Sequence, residues 1–152
     1  VQVTGIAQHA RQDAEPASVL PQVLPQADVV VDLLPLTPET ERFVDADFLA
    51  RMKAGALFVN AGRGRTVDTD ALLQALKTGR IRAALDVTHP EPLPSGHPLW
   101  RAPNTLITPH IAGAVARWQE RGYRFAGEQI RRYVAGKPLL GVSGSDRNPQ
   151  LA

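Results

Sequence analysis

The fold that we predict for this chain rests on the stretch Ala56-Leu57-Phe58-Val59-Asn60-Ala61-Gly62-Arg63-Gly64. Its short apolar run, bounded by glycines, is typical of a strand buried in a sheet. The polar segment that follows carries a permanently charged arginine between two glycines. A buried strand that ends in such a segment is typical of an open α/β sheet, in which ligands bind beyond the carboxyl ends of the strands.

Predicted strands and helices alternate on both sides of this stretch. Asp45 and Asp68 are suitable N-caps for helices that Gly55 and Gly79 bring to an end. Prolines interrupt residues 18–26, so only a helical turn is expected there. Further strands are predicted over residues 1–6, 27–34, 81–87 and 105–108. Because strands that alternate with helices pair in parallel through right-handed crossovers, we expect an α/β, doubly wound parallel sheet.

Three polar segments follow three of these strands, and each contributes one reactive side chain. They are Arg63 in residues 60–64, Glu91 in residues 86–92 and His110 in residues 108–113. A guanidinium group suits a carboxylate ligand. An imidazole beside a carboxylate is stabilised in its protonated form, which favours proton delivery to a developing alkoxide. This set predicts an enzyme that grips an acid substrate and moves a proton on and off its oxygen.

The order and spacing of these motifs resemble the C-terminal half of the D-isomer-specific 2-hydroxyacid dehydrogenases, over residues 1–140. The loop pattern of residues 86–100 is more similar to the glyoxylate/hydroxypyruvate reductase branch than to the phosphoglycerate branch. The matching segments are 34–40, 52–56, 58–64, 67–68, 85–87, 91–92, 97–100 and 108–111. The resemblance implies a Rossmann-like NAD(P)-binding fold and reversible hydride transfer between NAD(P)H and a small 2-oxo or 2-hydroxy acid.

The resemblance also implies a role for each reactive residue. Arg63 is expected to hold the carboxylate and carbonyl oxygen of the substrate. His110 is expected to be the catalytic acid/base, and Glu91 to orient it and stabilise its charge. Asp86 is expected to contact the nicotinamide carboxamide, although at the carboxyl end of a strand it could instead cap nearby backbone amides.

Further residues are expected to bind the cofactor. The resemblance implies that Pro35 and Thr40 line its adenine and ribose side. Asn60 and Ala61 are also expected to bind the cofactor. Residues 8–12, which follow the first strand, contain no carboxylate. A carboxylate there would accept hydrogen bonds from the adenosine ribose hydroxyls and so favour NAD. Arg11, helped by His9, suits a 2′-phosphate, so NADP is favoured over NAD. The alternative is that both are solvated turn residues.

The phosphate-binding G-x-G-x-x-G turn of the family is not in this sequence. We therefore expect a fragment of the full enzyme, inactive alone, whose sheet lacks its first βα unit. Its expected parts are a partial NAD(P)-binding domain (1–113), a long C-terminal helix packing back toward an absent substrate domain (114–138) and a flexible tail (139–152). We expect that helix to begin near Ala114 and to pack by its apolar face; without the substrate domain, some of the face would be exposed.

The composition bears on possible partners, metal sites and localisation. A net charge of +2, from 17 basic and 15 acidic residues, does not favour nucleic acid, and no apolar run is long enough for a membrane span. No metal site is expected. Because the chain has no cysteine, it is compatible with a cytoplasmic enzyme, and the full-length form is expected to be a homodimer. Two alternatives remain: a non-catalytic nucleotide-sensing or protein-interaction module with a dehydrogenase fold, and a non-functional remnant.

Overall fold

The structure of the protein is a computed structural model that describes residues 1–10 and 12–141. It has two units, Val1–Ala112 and Gly113–Ala152. Within the described residues, the first unit contains the strands and the shorter helices. The second contains one long helix. No helix in the described part of the chain has the length and apolar character that a membrane span requires.

The first unit alternates strands and helices along the chain, as the sequence predicts. Its elements are β1 (Ile6–Ala7), β2 (Glu15–Pro16), α1 (Leu20–Val23), β3 (Val29–Asp32), α2 (Ala46–Arg51), β4 (Leu57–Asn60), α3 (Thr69–Lys77), β5 (Arg82–Leu85) and β6 (Thr105–Ile107). Asp45 and Asp68 cap α2 and α3 as expected, since their side chains accept hydrogen bonds from backbone amides of the first turn of each helix.

Strands β3, β4, β5 and β6 form one parallel sheet in that order. The register pairs Asp32 with Asn60, Asn60 with Leu85, and Leu85 with Ile107. The four strands therefore end level with one another at their carboxyl ends. The segments that follow them consequently leave the sheet at one edge, where the predicted reactive residues were expected to meet.

The core of the first unit lies between this sheet and helices α2 and α3. Side chains that are at most 2% exposed include Leu49, Met52, Phe58, Leu72, Leu76 and Ile81. Burying one such side chain stabilises the folded state by about 1.5–3 kcal/mol relative to leaving it in water. By contrast, Val29 and Val31 on β3 are about half exposed, so the described residues do not cover that side of the strand.

Two boundaries differ from the sequence prediction. The strand predicted over residues 1–6 is wrong: only Ile6 and Ala7 pair, with the two residues of β2. Val1 and Val3 are exposed and have no neighbouring strand in the described residues. Without a partner, β-prone residues do not form a strand, because the backbone hydrogen bonds that define a strand are made to a neighbouring strand.

The long helix of the second unit, α4, covers Trp118–Val134. The prediction that it begins near Ala114 is wrong, because Arg117 has a positive φ of 62° and cannot lie within a right-handed helix. None of its residues is buried: Trp118, Ile130 and Val134 are 58%, 64% and 80% exposed. Packing of its apolar face toward a substrate domain stays a prediction. Most of the expected tail, residues 142–152, lies outside the described residues.

Candidate active site

The loop after β4 carries Arg63, and hydrogen bonds to a buried asparagine fix its backbone. Asn60, which is 1% exposed, donates from Nδ2 to the Arg63 carbonyl at 3.0 Å and accepts at Oδ1 from the Gly62 amide at 3.0 Å. The Arg63 side chain is exposed and donates to the Gly62 carbonyl at 2.7 Å. Asn60 therefore fixes the backbone of the loop, while the guanidinium group stays accessible to a ligand.

The two glycines that flank Arg63 allow its loop to lie against both neighbouring strand ends. A Cβ atom on Gly62 would lie 2.9 Å from the Leu34 carbonyl oxygen, beyond β3. A Cβ atom on Gly64 would lie 1.9 Å from the Thr88 carbonyl oxygen, beyond β5. Only glycine permits such close backbone approach. The glycines thus set the position of Arg63 relative to the adjacent segments.

His110 and Glu91 lie side by side, although 19 residues separate them in the sequence. His110 Nδ1 and Glu91 Oε1 are 2.6 Å apart, and both side chains are a little under half exposed. With Nδ1–H donating to the carboxylate, Nε2 is the nitrogen left to exchange a proton with a ligand. The segment before His110 is anchored by Leu99, which is 2% exposed, and by Trp100, whose Nε1 donates to the Pro94 carbonyl.

His110 adopts a left-handed backbone conformation, with φ of 55°. This conformation is uncommon for residues other than glycine, and such residues cluster at functional sites. The carboxylate of Asp86 holds the segment in this shape: it accepts hydrogen bonds from Thr108 Oγ1 at 2.6 Å, Ile111 N at 2.8 Å and Ala112 N at 2.7 Å. The structure therefore shows the backbone-capping alternative for Asp86.

These contacts also change the acidity of Asp86. Burial by itself raises the pKa of this carboxyl group. The hydrogen bonds from Thr108, Ala112 and Ile111, together with nearby His110, favour the charged form and outweigh burial, so the pKa lies below its ordinary value. Asp86 therefore stays ionised at neutral pH and accepts these hydrogen bonds as a carboxylate.

Two polar residues at the Arg63 loop were missed by reasoning from the sequence. Asp32 and Thr66 are both buried and share a hydrogen bond, and Thr66 also contacts the Arg63 carbonyl. A signal for Asp32 was present, because it ends an apolar strand at the position that Asn60 occupies in β4. Thr66 carries no comparable signal, because it ends a short 3₁₀ helix, Gly64–Thr66, rather than an apolar strand.

Most of the predicted cofactor residues lie where the strands of the four-stranded sheet end, at the same edge; His9 follows β1 of the separate two-stranded sheet. Thr40 Oγ1 donates to the Pro35 carbonyl at 2.6 Å and accepts from the Thr37 amide, so its hydroxyl shapes the loop after β3. Ala61 directly follows β4, and its amide donates to the Asp32 carbonyl. His9 is exposed beyond β1. Arg11 lies outside the described residues.

The observed edge suits a planar ring bearing polar groups. Leu33 and Leu36 are 68% and 39% exposed beside Pro35 and would give a ring an apolar surface. Most of the polar side chains nearby are engaged in holding loops. No cluster of three or more His, Asp or Glu side chains that could hold a metal ion occurs among residues 1–10 and 12–141. The accessible reactive groups are a guanidinium group and an imidazole–carboxylate pair, which suit an anionic substrate that undergoes proton transfer.

Comparison with known proteins identifies close relatives. Residues 1–112 match the family described as D-isomer specific 2-hydroxyacid dehydrogenase, NAD binding domain. The human protein named glyoxylate reductase/hydroxypyruvate reductase is 42% identical over 120 residues, which cover 78% of this chain and 37% of that protein. Curated relatives are matched over about two fifths of their length, between 37% and 40% for three of them.

Solved structures show the same fold. A D-isomer specific 2-hydroxyacid dehydrogenase from Xanthobacter autotrophicus Py2, in complex with NADPH and MES, has a TM-score of 0.82 and 38% identity, covering 93% of this chain and 60% of that one. An NADPH-dependent glyoxylate/hydroxypyruvate reductase from Sinorhizobium meliloti, in complex with NADP and sulfate, also has a TM-score of 0.82, with 32% identity, covering 93% and 47%. The parallel α/β sheet is therefore a Rossmann-like NAD-binding fold.

Proposed function

The chain belongs to the D-isomer specific 2-hydroxyacid dehydrogenase family, and from this premise we propose that it carries the catalytic residues of an NAD(P)-dependent oxidoreductase acting on a small 2-oxo or 2-hydroxy acid. The observation that carries the proposal is the 2.6 Å contact between His110 Nδ1 and Glu91 Oε1 at the edge of the sheet that also presents Arg63. Glyoxylate and hydroxypyruvate are the proposed substrates, because relatives named for them are 42% and 43% identical.

Each of the three residues has a distinct proposed task. Arg63 binds the substrate carboxylate through its forked N–H groups and so aims the carbonyl carbon. His110 releases a proton from Nε2 to the carbonyl oxygen as that oxygen becomes an alkoxide. Glu91 keeps the proton of His110 on Nδ1 and stabilises the imidazolium that forms in the reverse direction.

The nicotinamide group, when bound, supplies hydride to C2 of a 2-oxo acid or accepts it from a 2-hydroxy acid. We propose that Asp86, Asn60 and Ala61 lie on its nicotinamide side, and Pro35 and Thr40 on its adenine side. The exposed apolar surface of Leu33 and Leu36 supports this assignment. The internal hydrogen bonds of Asp86, Asn60 and Thr40 mean that their side chains also shape the loops that meet the cofactor.

The preferred cofactor is proposed to be NADP, through Arg11 and His9. The absence of a carboxylate in residues 8–12 supports this choice, as do two similar structures that contain NADPH or NADP. An Arg11→Ala variant should raise KM for NADPH more than KM for NADH. Equal effects on the two cofactors would instead assign Arg11 to the solvated turn.

The chain is further proposed to be a fragment of a longer enzyme, with residues 1–113 as its partial NAD(P)-binding domain and 114–138 as the segment, containing α4, that meets the substrate domain. The match to only about two fifths of the curated relatives supports this proposal. The full-length form is proposed to be a cytoplasmic homodimer. Light scattering of the longest native form, together with cell fractionation, tests these two properties.

The test of function is NADPH and NADH oxidation with glyoxylate and hydroxypyruvate, measured on the 152-residue chain and on its longest native form. Activity only in the longer form is expected. In that form, His110→Gln should reduce kcat by at least about 100-fold, the usual contribution of a general acid, with cofactor affinity nearly unchanged. Arg63→Ala should weaken substrate binding and turnover together.

Two matched controls keep this test specific. His89→Gln and Arg51→Ala make the same chemical changes at exposed positions outside the proposed machinery, and both should retain activity. If a folded native form turns over none of a broad set of 2-oxo acids, the non-catalytic nucleotide-sensing or protein-interaction module becomes the better explanation. Ligand-dependent capture of a partner without turnover would support that alternative directly.

A further inference from the structure

Asp32 is a buried carboxyl group that the proposed chemistry does not use. It lies at the carboxyl end of β3 and is 5% exposed. Its Oδ1 accepts a hydrogen bond from the Leu34 amide at 2.9 Å, and its Oδ2 lies 2.5 Å from Thr66 Oγ1. Buried carboxyl groups are costly to ionise without a charged partner. The surroundings of Asp32 therefore decide which protonation state it adopts.

The hydrogen bonds of Thr66 require one more proton than its own hydroxyl supplies. Thr66 Oγ1 lies 2.5 Å from Asp32 Oδ2 and 2.6 Å from the Arg63 carbonyl oxygen. A threonine hydroxyl has a single proton and can donate to only one of these two oxygens. Two oxygens this close without a proton between them repel each other. The Arg63 carbonyl has no proton to give, so Asp32 is the partner that can supply the second proton.

Among the described residues, Asp32 forms no ion pair with a charged side chain, and its pKa is shifted by burial and by its hydrogen bonds. The titratable and charged groups on the segments around it are Glu39, Glu41, Arg42, Arg63, Arg65, Asp86 and His89. Of these, Arg65 pairs with Glu41, Arg42 pairs with Asp68, and Arg63 donates to the Gly62 carbonyl. Burial raises the pKa of Asp32 more than the hydrogen bonds from Thr66 and Leu34 lower it. A Thr66 hydroxyl that accepts rather than donates raises it further.

We propose that Asp32 is protonated in the folded protein and is a positioning residue for Arg63. The proton of Asp32 Oδ2 is donated to Thr66 Oγ1, and the proton of Thr66 is donated in turn to the Arg63 carbonyl. This relay joins the end of β3 to the loop after β4 and holds the backbone of Arg63 beside the hydrogen bond from Asn60. The part of the proposal that concerns catalysis rests on the proposed function of Arg63.

The direction in which the Thr66 hydroxyl donates its proton depends on pH. When Asp32 loses its proton, the Thr66 hydroxyl must turn to the carboxylate and release the Arg63 carbonyl. The Arg63 loop then loses one hydrogen bond, and the grip of its guanidinium group on substrate weakens. Asparagine at position 32 would donate to Thr66 at every pH, because its amide N–H₂ takes the place of the carboxyl O–H and does not titrate.

Carboxyl ¹³C NMR of the folded 152-residue chain tests protonation without any need for activity. The Asp32 signal is assigned by its loss in Asp32→Asn. It should remain that of a protonated acid at pH values at which an ordinary aspartate has already lost its proton. Asp28 is the matched control at the other end of β3: it is exposed, and its hydrogen bond and charge interaction with Lys53 lower its pKa. An Asp32 signal that titrates together with that of Asp28 overturns the proposal.

Kinetics of the longest native form test the positioning role. KM for the 2-oxo acid should rise about fivefold, the effect of one net hydrogen bond, as pH increases through the pKa of Asp32. This rise should exceed any fall in kcat and should be missing in Asp32→Asn. Thr66→Val should have the higher KM throughout, whereas Thr66→Ser should resemble the wild type. If KM depends on pH in the same way in Asp32→Asn as in the wild type, the positioning role is refuted. If no form turns over substrate, the proposed function of Arg63 fails, and the NMR measurement still decides whether Asp32 is protonated.

Discussion

Replacing Gly64 with alanine gives the sharpest test of how the Arg63 loop is positioned. The added Cβ would lie 1.9 Å from the Thr88 carbonyl oxygen and 2.2 Å from its carbonyl carbon. Ordinary van der Waals contact begins at 3.4 Å, so the two segments must separate by about 1.5 Å. Both atoms belong to the backbone at the end of β5, and no side-chain rotation relieves the clash.

The expected cost is large for both stability and activity. Overpacking of this kind reduces the free energy of unfolding by about 1–3 kcal/mol or more. Moving a catalytic loop by about 1 Å reduces turnover by about 100-fold, so kcat/KM of the longest native form should fall at least that far. Urea unfolding of the chain and steady-state reduction of glyoxylate measure the two effects separately.

Two other glycines provide graded controls for this substitution. Gly62→Ala brings its Cβ to 2.9 Å from the Leu34 carbonyl oxygen and should have a smaller effect in the same direction. Gly96→Ala meets no atom within 4 Å and should be neutral, or stabilising by about 0.4–1 kcal/mol through the unfolded chain. If Gly64→Ala and Gly96→Ala were equally stable and equally active, the close approach of the two segments could not be what positions Arg63.

Two further predictions concern capping carboxylates. Asp86→Asn should destabilise the protein because Asn keeps only one acceptor oxygen and sets its NH₂ group against the amide of either Ile111 or Ala112. Since the pKa of Asp86 is lowered, the loss of unfolding free energy should be full above about pH 4 and should shrink as pH falls through the lowered value. A deficit in the urea-unfolding free energy that did not change between neutral and acidic pH would contradict this account. Asp45→Ala removes the acceptor for the Phe48 amide at the start of α2 and should lower the free energy of unfolding by about 1 kcal/mol in the same assay. Asp47→Ala, at the second position of the helix, should cost less.

Local patterns predicted most of the fold correctly because each depends on neighbours in the sequence. The caps at Asp45 and Asp68 and the buried run of β4 are where they were expected. The strand predicted over residues 1–6 was wrong because pairing requires a second strand, which composition does not reveal. The helix start was misplaced by the left-handed Arg117, whose φ has no signature in the sequence.

In the candidate site, too, the features set by sequence neighbours were predicted and those set by distant contacts were not. Its reactive groups were predicted from polar residues that follow apolar strands, and the structure brings His110 and Glu91 into contact as expected. Whether those residues are catalytic stays a prediction. The hydrogen bonds that shape the site, above all the three to Asp86 and the one between Asp32 and Thr66, were not predicted in this form. They join segments 22 to 34 residues apart, and no local pattern records such a distance.

The sequence by itself determined the parallel α/β architecture and the identity of the reactive side chains, because apolar periodicity, caps and ordered motifs are properties of neighbouring residues. The tertiary structure alone decided how those side chains are held. It set the level strand ends, the left-handed backbone of His110, the close approach of Gly64 to Thr88 and the burial of Asp32. Each of these depends on atoms that meet only when distant segments pack, so the protonation and positioning of the site follow from packing.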